Sequence, residues 1–178
     1  MLLNFITILG FNFIVITILW ISSLKTRRAD FIDIYWGPSF FFSFLVALVI
    51  NNSFTMTEII CLFLITIWGF RLGIYLLIRN VNKTEDIRYV KIREARGDIG
   101  LYLTAYLIQI ILIPIISLPL ISILDTSIDL SFVHWVGILI ALSGILIETI
   151  ADIQLSKFKL DQNNTNKVMD KGLWYYSR

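Results

Sequence analysis

Apolar sequence without charge runs in long stretches: Met1 to Leu24, Ile34 to Thr57, Ile99 to Leu124 and Leu130 to Ile147 hold no Asp, Glu, Lys or Arg. Each reaches the ~17–25 residues a helix needs to cross a bilayer. A further apolar run, Ile59 to Ile78, is interrupted by one charge, Arg71. The pattern predicts five membrane spans, near 2–22, 34–50, 59–78, 101–124 and 132–151. That is an all-α, multi-pass transmembrane bundle. Pro38, Pro114 and Pro119 fall within spans or at their edges, where neighbouring helices satisfy the freed carbonyls, so they mark kinks and not breaks. The first stretch lacks a basic leader and a small-residue cleavage site, and reads as a retained span. No repeat or long linker divides the chain, so a single transmembrane domain over residues 1–178 is expected.

The polar breaks between spans test this parse. The 15 Lys and Arg residues all fall in the first break, the third break and the tail, once Arg71 is taken as reaching the near interface. The second break, Asn51 to Thr57, and the fourth, Asp125 to Ser131, contain none. The positive-inside rule then puts the N-terminus outside and the tail in the cytoplasm of an integral membrane protein, expected in the cell membrane.

Composition agrees: 57% of the residues are hydrophobic and 16% charged, against roughly 25% charged in a soluble domain. The net charge of +2 comes from membrane-flanking segments, where orientation in the bilayer explains it and nucleic acid does not. One cysteine, Cys61, and one histidine, His134, exclude a disulfide framework and a His/Cys metal cluster.

Two groups of residues could carry chemistry. Trp68, Arg71, Tyr75 and Arg79 are spaced three, four and four apart, so they share one face of the third span. Arg71 lies about 12 Å along the axis from Arg79. Snorkelling to headgroups is the plain reading, and a functional cavity with Arg71 and Tyr75 as catalytic candidates is the other. Glu148 and Asp152 sit four apart near the end of the fifth span. Two like charges there require an answering cation, for which Arg71 and Arg79 are natural partners, either as a structural ion-pair cluster or as part of a site. Gly69 and Gly73 form a small-residue motif that reads as close helix packing, as do Gly137, Ala141 and Gly144. His134, beside Trp135, reads as an interfacial belt residue. The charged break from Asn80 to Gly100 reads as a solvated loop facing headgroups, and the aromatic tail from Gln154 to Arg178 as lying at the interface.

Several of these motifs occur together in one known family. Asp33, Trp36-Gly37, Arg71-Leu72-Gly73, Arg79, Glu85-Asp86, Arg88-Tyr89 and Ser117-Leu118-Pro119 precede a block of Glu148, Ala151-Asp152, Gln154, Phe158-Lys159 and Gly172 through Arg178. In this order the chain resembles the steroid 5-alpha-reductase-like family of membrane reductases (DUF1295 type). The resemblance implies a multi-pass enzyme that takes NADPH from the cytosol and reduces a conjugated double bond in a lipid-soluble substrate. It places Glu148 and Asp152 in the cofactor pocket, Trp174, Tyr176 and Arg178 in the segment that closes on it, and Arg79 as a further contact. The family continues past the arginine with a motif of His-Pro-Asn-Tyr type, whereas this sequence stops at Arg178. The expectation is a chain lacking the C-terminal part of the family's domain. No Gly-rich dinucleotide fingerprint of the soluble kind occurs.

Two further readings stand beside the reductase. One is a membrane methyltransferase of the isoprenylcysteine carboxyl or phospholipid type, which would use S-adenosylmethionine. The other is a non-catalytic bundle in which the buried charges merely pair. The expected partners are the lipid bilayer and a lipophilic small molecule.

Overall fold

A computed structural model describes residues 1–81, 83–125, 129–165 and 167–177. Among them there is no strand, and five helical segments are long and apolar enough to cross a membrane. The chain is an integral membrane protein. The helices are α1 (Leu2–Thr26), α2 (Phe31–Asn51), α3 (Met56–Asn80), α4 (Ile87–Leu101), α5 (Leu107–Ile116), α6 (Leu118–Ser122) and α7 (Phe132–Leu160). Each expected span lies inside a helix that runs a few residues further, except the fourth, which the structure builds in pieces. The chain forms two compact units, Met1–Asp129 and Leu130–Arg178.

In the first unit α1 buries Asn4, Ile8, Asn12 and Ile16, a stripe at four-residue spacing that stays on one helical face. Two of the four are amides, and α2 answers both. Asn12 Nδ2 donates to Ser43 Oγ at 2.8 Å, Tyr35 donates its hydroxyl to Asn12 Oδ1 at 3.2 Å, and Asn51 Nδ2 donates to Asn4 Oδ1 at 2.8 Å. With little hydrophobic force to join helices in lipid, such bonds and close packing supply the cohesion. Close packing is most evident where α2 crosses α3: a Cβ built on Gly37 would stand 2.5 Å from the Gly69 carbonyl oxygen, and one on Gly69 equally close to that of Gly37. Gly73 in turn faces the ring of Pro38. The packing role expected for Gly69 and Gly73 is met.

The fourth span is interrupted at both ends. Gly97, at φ 68° and ψ −176°, takes a conformation essentially reserved for glycine. It separates the charged first part of α4 from the apolar part. A π-helical turn, Tyr102–Tyr106, follows. Pro114 lies within α5 and Pro38 within α2, and neither breaks its helix. Pro119 differs, because Ser117 ends α5 and Pro119 sits in the first turn of α6, the one helical position where a missing N–H costs nothing.

The second unit is α7 with its following tail. His134 caps the helix start, its Nδ1 accepting from the Ser131 backbone N–H at 3.0 Å, a more local role than the belt position expected for it. The tail folds back onto α7 through a turn at Gly172, where φ is 63°. Gln154 Oε1 accepts from the Leu173 N–H at 2.9 Å, and the Trp174 indole donates to the Ala151 carbonyl at 2.9 Å. A Cβ at Gly172 would stand 2.5 Å from that same Gln154 oxygen, so a larger residue would displace the amide as well as strain the positive φ.

Candidate functional site

The charges between α1 and α2 and those between α3 and α4 meet at one end of the first unit. Arg28 donates from Nε and Nη2 to the two oxygens of Asp30 at 2.8 and 2.7 Å, and its Nη2 also reaches the Asn80 carbonyl at 3.0 Å. Asp30 is only 2% exposed. Its hydrogen bond to Arg28 holds the guanidinium still more firmly in the charged form than usual. Glu85, 7% exposed, accepts from the Ala29 N–H at 2.6 Å and from both terminal nitrogens of Arg93. Tyr106 donates its hydroxyl to the Ala29 carbonyl at 3.2 Å, and Arg93 Nε lies 3.1 Å from Asp98. A buried ion pair is sustained by the hydrogen bonds around it: Glu85 has the Ala29 N–H and the two terminal nitrogens of Arg93, while Arg93 Nε makes no hydrogen bond and is met by Asp98 only as an ion pair. The loop expected to be solvated between Asn80 and Gly100 is corrected in part: from Ile87 it is α4, and the Glu85 and Arg93 side chains are largely withdrawn from solvent as structural ions, while Arg88, Lys91, Glu94 and Arg96 are exposed as expected. Spacing alone did not show that Ala29, an apolar residue in a turn, would present its backbone to Glu85.

The clasp fixes the residues that follow it in sequence. Asp33, in the first turn of α2, accepts from the Tyr89 hydroxyl at 2.6 Å on Oδ1 and from Arg88 at 3.2 Å on Oδ2. Arg88 also donates to both oxygens of Asp86, at 3.1 and 2.9 Å. Asp86 in turn accepts the Arg88 backbone N–H at 2.9 Å and so starts α4. The side-chain hydrogen bond from Arg88, aided by that backbone bond, holds the Asp86 carboxyl below the usual carboxylate value.

Asp33, Trp36, Leu76, Arg79, Arg88 and Gln109 line a recess of about 330 Å³. Four helices contribute, α2, α3, α4 and α5. Trp36 is held edge-on by Phe40 and Trp68, at ring separations of 5.1 and 5.8 Å. Arg79 donates from Nε to Asn80 Oδ1 at 3.1 Å and lies 5.9 Å from the Tyr75 ring centre. Among the described residues its two terminal nitrogens make no hydrogen bond or ion pair. The wall thus combines two guanidinium groups, a carboxylate whose oxygens are already engaged, an aromatic ring and an amide. Such a set suits an anionic ligand with a flat polar ring.

Of the residues singled out from sequence, Arg79 lines this recess. Tyr75 stands beside Arg79 on the same face, and Arg71 lies a further turn along α3 and is not part of the wall. Glu148 and Asp152 lie one turn apart on α7 in the second unit, where Trp174 docks next to Asp152 through the Ala151 carbonyl. Tyr176 is 84% exposed, and Arg178 lies outside the described residues. Asp33, Arg88 and Gln109 were not singled out as site residues. Gln109 carried a signal nonetheless, being the one polar residue between Tyr106 and Ser117.

The family model described as a protein of unknown function (DUF1295) matches residues 19–178, and with it every residue of the clasp and the recess. The chain belongs to the DUF1295 family. Comparisons with curated proteins and with solved structures find no match. The DUF1295 match covers both compact units.

Proposed function

We propose that this chain is a membrane-embedded reductase that uses NADPH to reduce the conjugated double bond of a lipid-soluble enone, steroid-like, isoprenoid or fatty. The observation that carries the reading is the recess, in which Arg79, whose terminal nitrogens make no hydrogen bond among the described residues, stands beside Arg88, Trp36 and Gln109. Membership of a family of membrane proteins and the resemblance of the motifs from Asp33 to Arg178 support it.

The residues present fit an anionic dinucleotide. Guanidinium forks match phosphate oxygens in charge and geometry. Arg79 and Arg88 hold the phosphates, and Asp33 and Asp86 keep Arg88 in place. Bound NADPH supplies the hydride. The protein supplies the proton and the charge stabilisation: the Tyr75 hydroxyl gives its proton to the substrate carbon that does not receive the hydride, and Arg71 stabilises negative charge developing on the substrate carbonyl oxygen. In this proposal the recess opens to the cytoplasm, a placement that the one-sided Lys and Arg distribution supports.

The test is a titration of the purified protein in detergent with NADPH and, separately, with S-adenosylmethionine. Saturable binding of NADPH alone is the expected result. Binding of S-adenosylmethionine alone would replace the reductase by a methyltransferase, and binding of neither would leave the recess a structural feature.

A further inference from the structure

Gln109 is the one polar residue in the run from Leu107 to Ile116. A lone amide in a membrane span ordinarily hydrogen-bonds a neighbouring helix. Here its Oε1 is buried and has no hydrogen-bond partner, while the side chain lines the recess with Arg79 and Trp36. Its buried neighbours along α5, Ile110 and Ile113, can offer it nothing. A buried acceptor left without a partner is costly, and the cost is relieved if a ligand supplies the donor. The π-helical turn directly before α5 contributes to this placement. One inserted residue rotates the following helix by about 100°, and it is Gln109, instead of an adjacent isoleucine, that reaches the recess wall.

We infer that Gln109 sets the ligand specificity of the recess by hydrogen-bonding the carboxamide on the ring of the nicotinamide cofactor. The inference rests on the reading of the recess as a cofactor site. A side-chain amide carries both a donor and an acceptor, and so it pairs with another carboxamide in complementary fashion. The recess, about 330 Å³, lies near the lower end of the ~300–1,000 Å³ of ligand pockets. It accommodates a mononucleotide-sized half of the cofactor, with the phosphate on Arg79 and the ring between Trp36 and Gln109. The reacting ring thereby enters the apolar part of the bundle, where a lipid-soluble substrate can meet it.

The test compares NADPH with its 3-acetylpyridine analogue, which keeps the ring carbonyl but lacks the amide N–H donors, in the wild type and in Gln109→Met. The wild type should bind NADPH roughly tenfold more tightly than the analogue, the effect of one net hydrogen bond. Gln109→Met, which removes an unsatisfied polar group, should melt no lower than the wild type and bind the two ligands alike. Equal binding of both ligands by the wild type would overturn the inference while leaving the cofactor site in place. So would discrimination against a hypoxanthine analogue of NADPH instead, since that would assign Gln109 to the adenine end. Failure of the wild type to bind NADPH at all would remove the cofactor reading and this inference with it.

Discussion

The Tyr89 hydroxyl donates to Asp33 Oδ1 at 2.6 Å, joining two residues 56 positions apart. Tyr89 is 7% exposed and is not among the residues that line the recess. It fixes one oxygen of Asp33 while Arg88 engages the other. The carboxylate is thus a support for Arg88, while the terminal nitrogens of Arg79 make no hydrogen bond among the described residues.

Removal of Glu85 should unfasten this end of the bundle. Glu85→Ala strands the Ala29 N–H and leaves the buried Arg93 guanidinium with Asp98 alone. Breaking a buried, hydrogen-bonded ion pair on one side costs about 3–5 kcal/mol. Thermal unfolding in detergent should show a drop of several degrees, and an unchanged melting temperature would mean that the clasp contributes nothing.

Acid should loosen the start of α4. The hydrogen bond from Arg88 lowers the folded-state pKa of Asp86, so the unfolded chain binds the proton more readily. The resulting stability is present above the usual carboxylate value of about 4 and is lost as pH falls through the lower folded value. Asp86→Asn should therefore show a shallower loss of stability below about pH 4 than the wild type. Parallel acid unfolding curves for the two proteins would refute the assignment.

The α2–α3 crossing should not tolerate bulk. Gly69→Leu forces apart backbones that already leave no room for a Cβ, and overpacking of this kind costs at least about 1–3 kcal/mol. Gly10 is the control, because nothing lies within 4 Å of a Cβ there. Gly10→Ala should be neutral or stabilising by up to about 1 kcal/mol through helix propensity. Equal melting temperatures for Gly69→Leu and Gly10→Ala would contradict the close approach.

The spans were legible in the sequence because length and lack of charge determine them, and bilayer thickness sets the scale. The Gly69 and Gly73 packing face was legible for a similar reason, since small residues at four-residue spacing have one common use in membranes. The clasp was not. Glu85, Arg93 and Asp30 look like ordinary loop charges until the chain reversal after α1 brings the Ala29 backbone against them, and no local spacing encodes that long-range contact. The recess was half legible: Arg79 stood out by helical phase on α3, whereas Gln109 depends on a π-helical turn, an extra residue that shifts the phase of α5 and that periodicity reading assumes away. The interruption at Gly97 lies inside the charged break from Asn80 to Gly100, where nothing in the local pattern marks one glycine as the junction within a helical segment.

The central claim, that the recess between α2, α3, α4 and α5 receives the cofactor, is tested most directly by the NADPH dissociation constant of Arg79→Ala beside the wild type, with Lys91→Ala, an exposed cation outside the recess, as the charge-matched control. A charge-assisted hydrogen bond to phosphate is worth about 1.5–3 kcal/mol, so Arg79→Ala should weaken binding by roughly 10- to 100-fold while Lys91→Ala leaves it within about twofold. Equal dissociation constants for wild type and Arg79→Ala, with both proteins folded, would contradict the account.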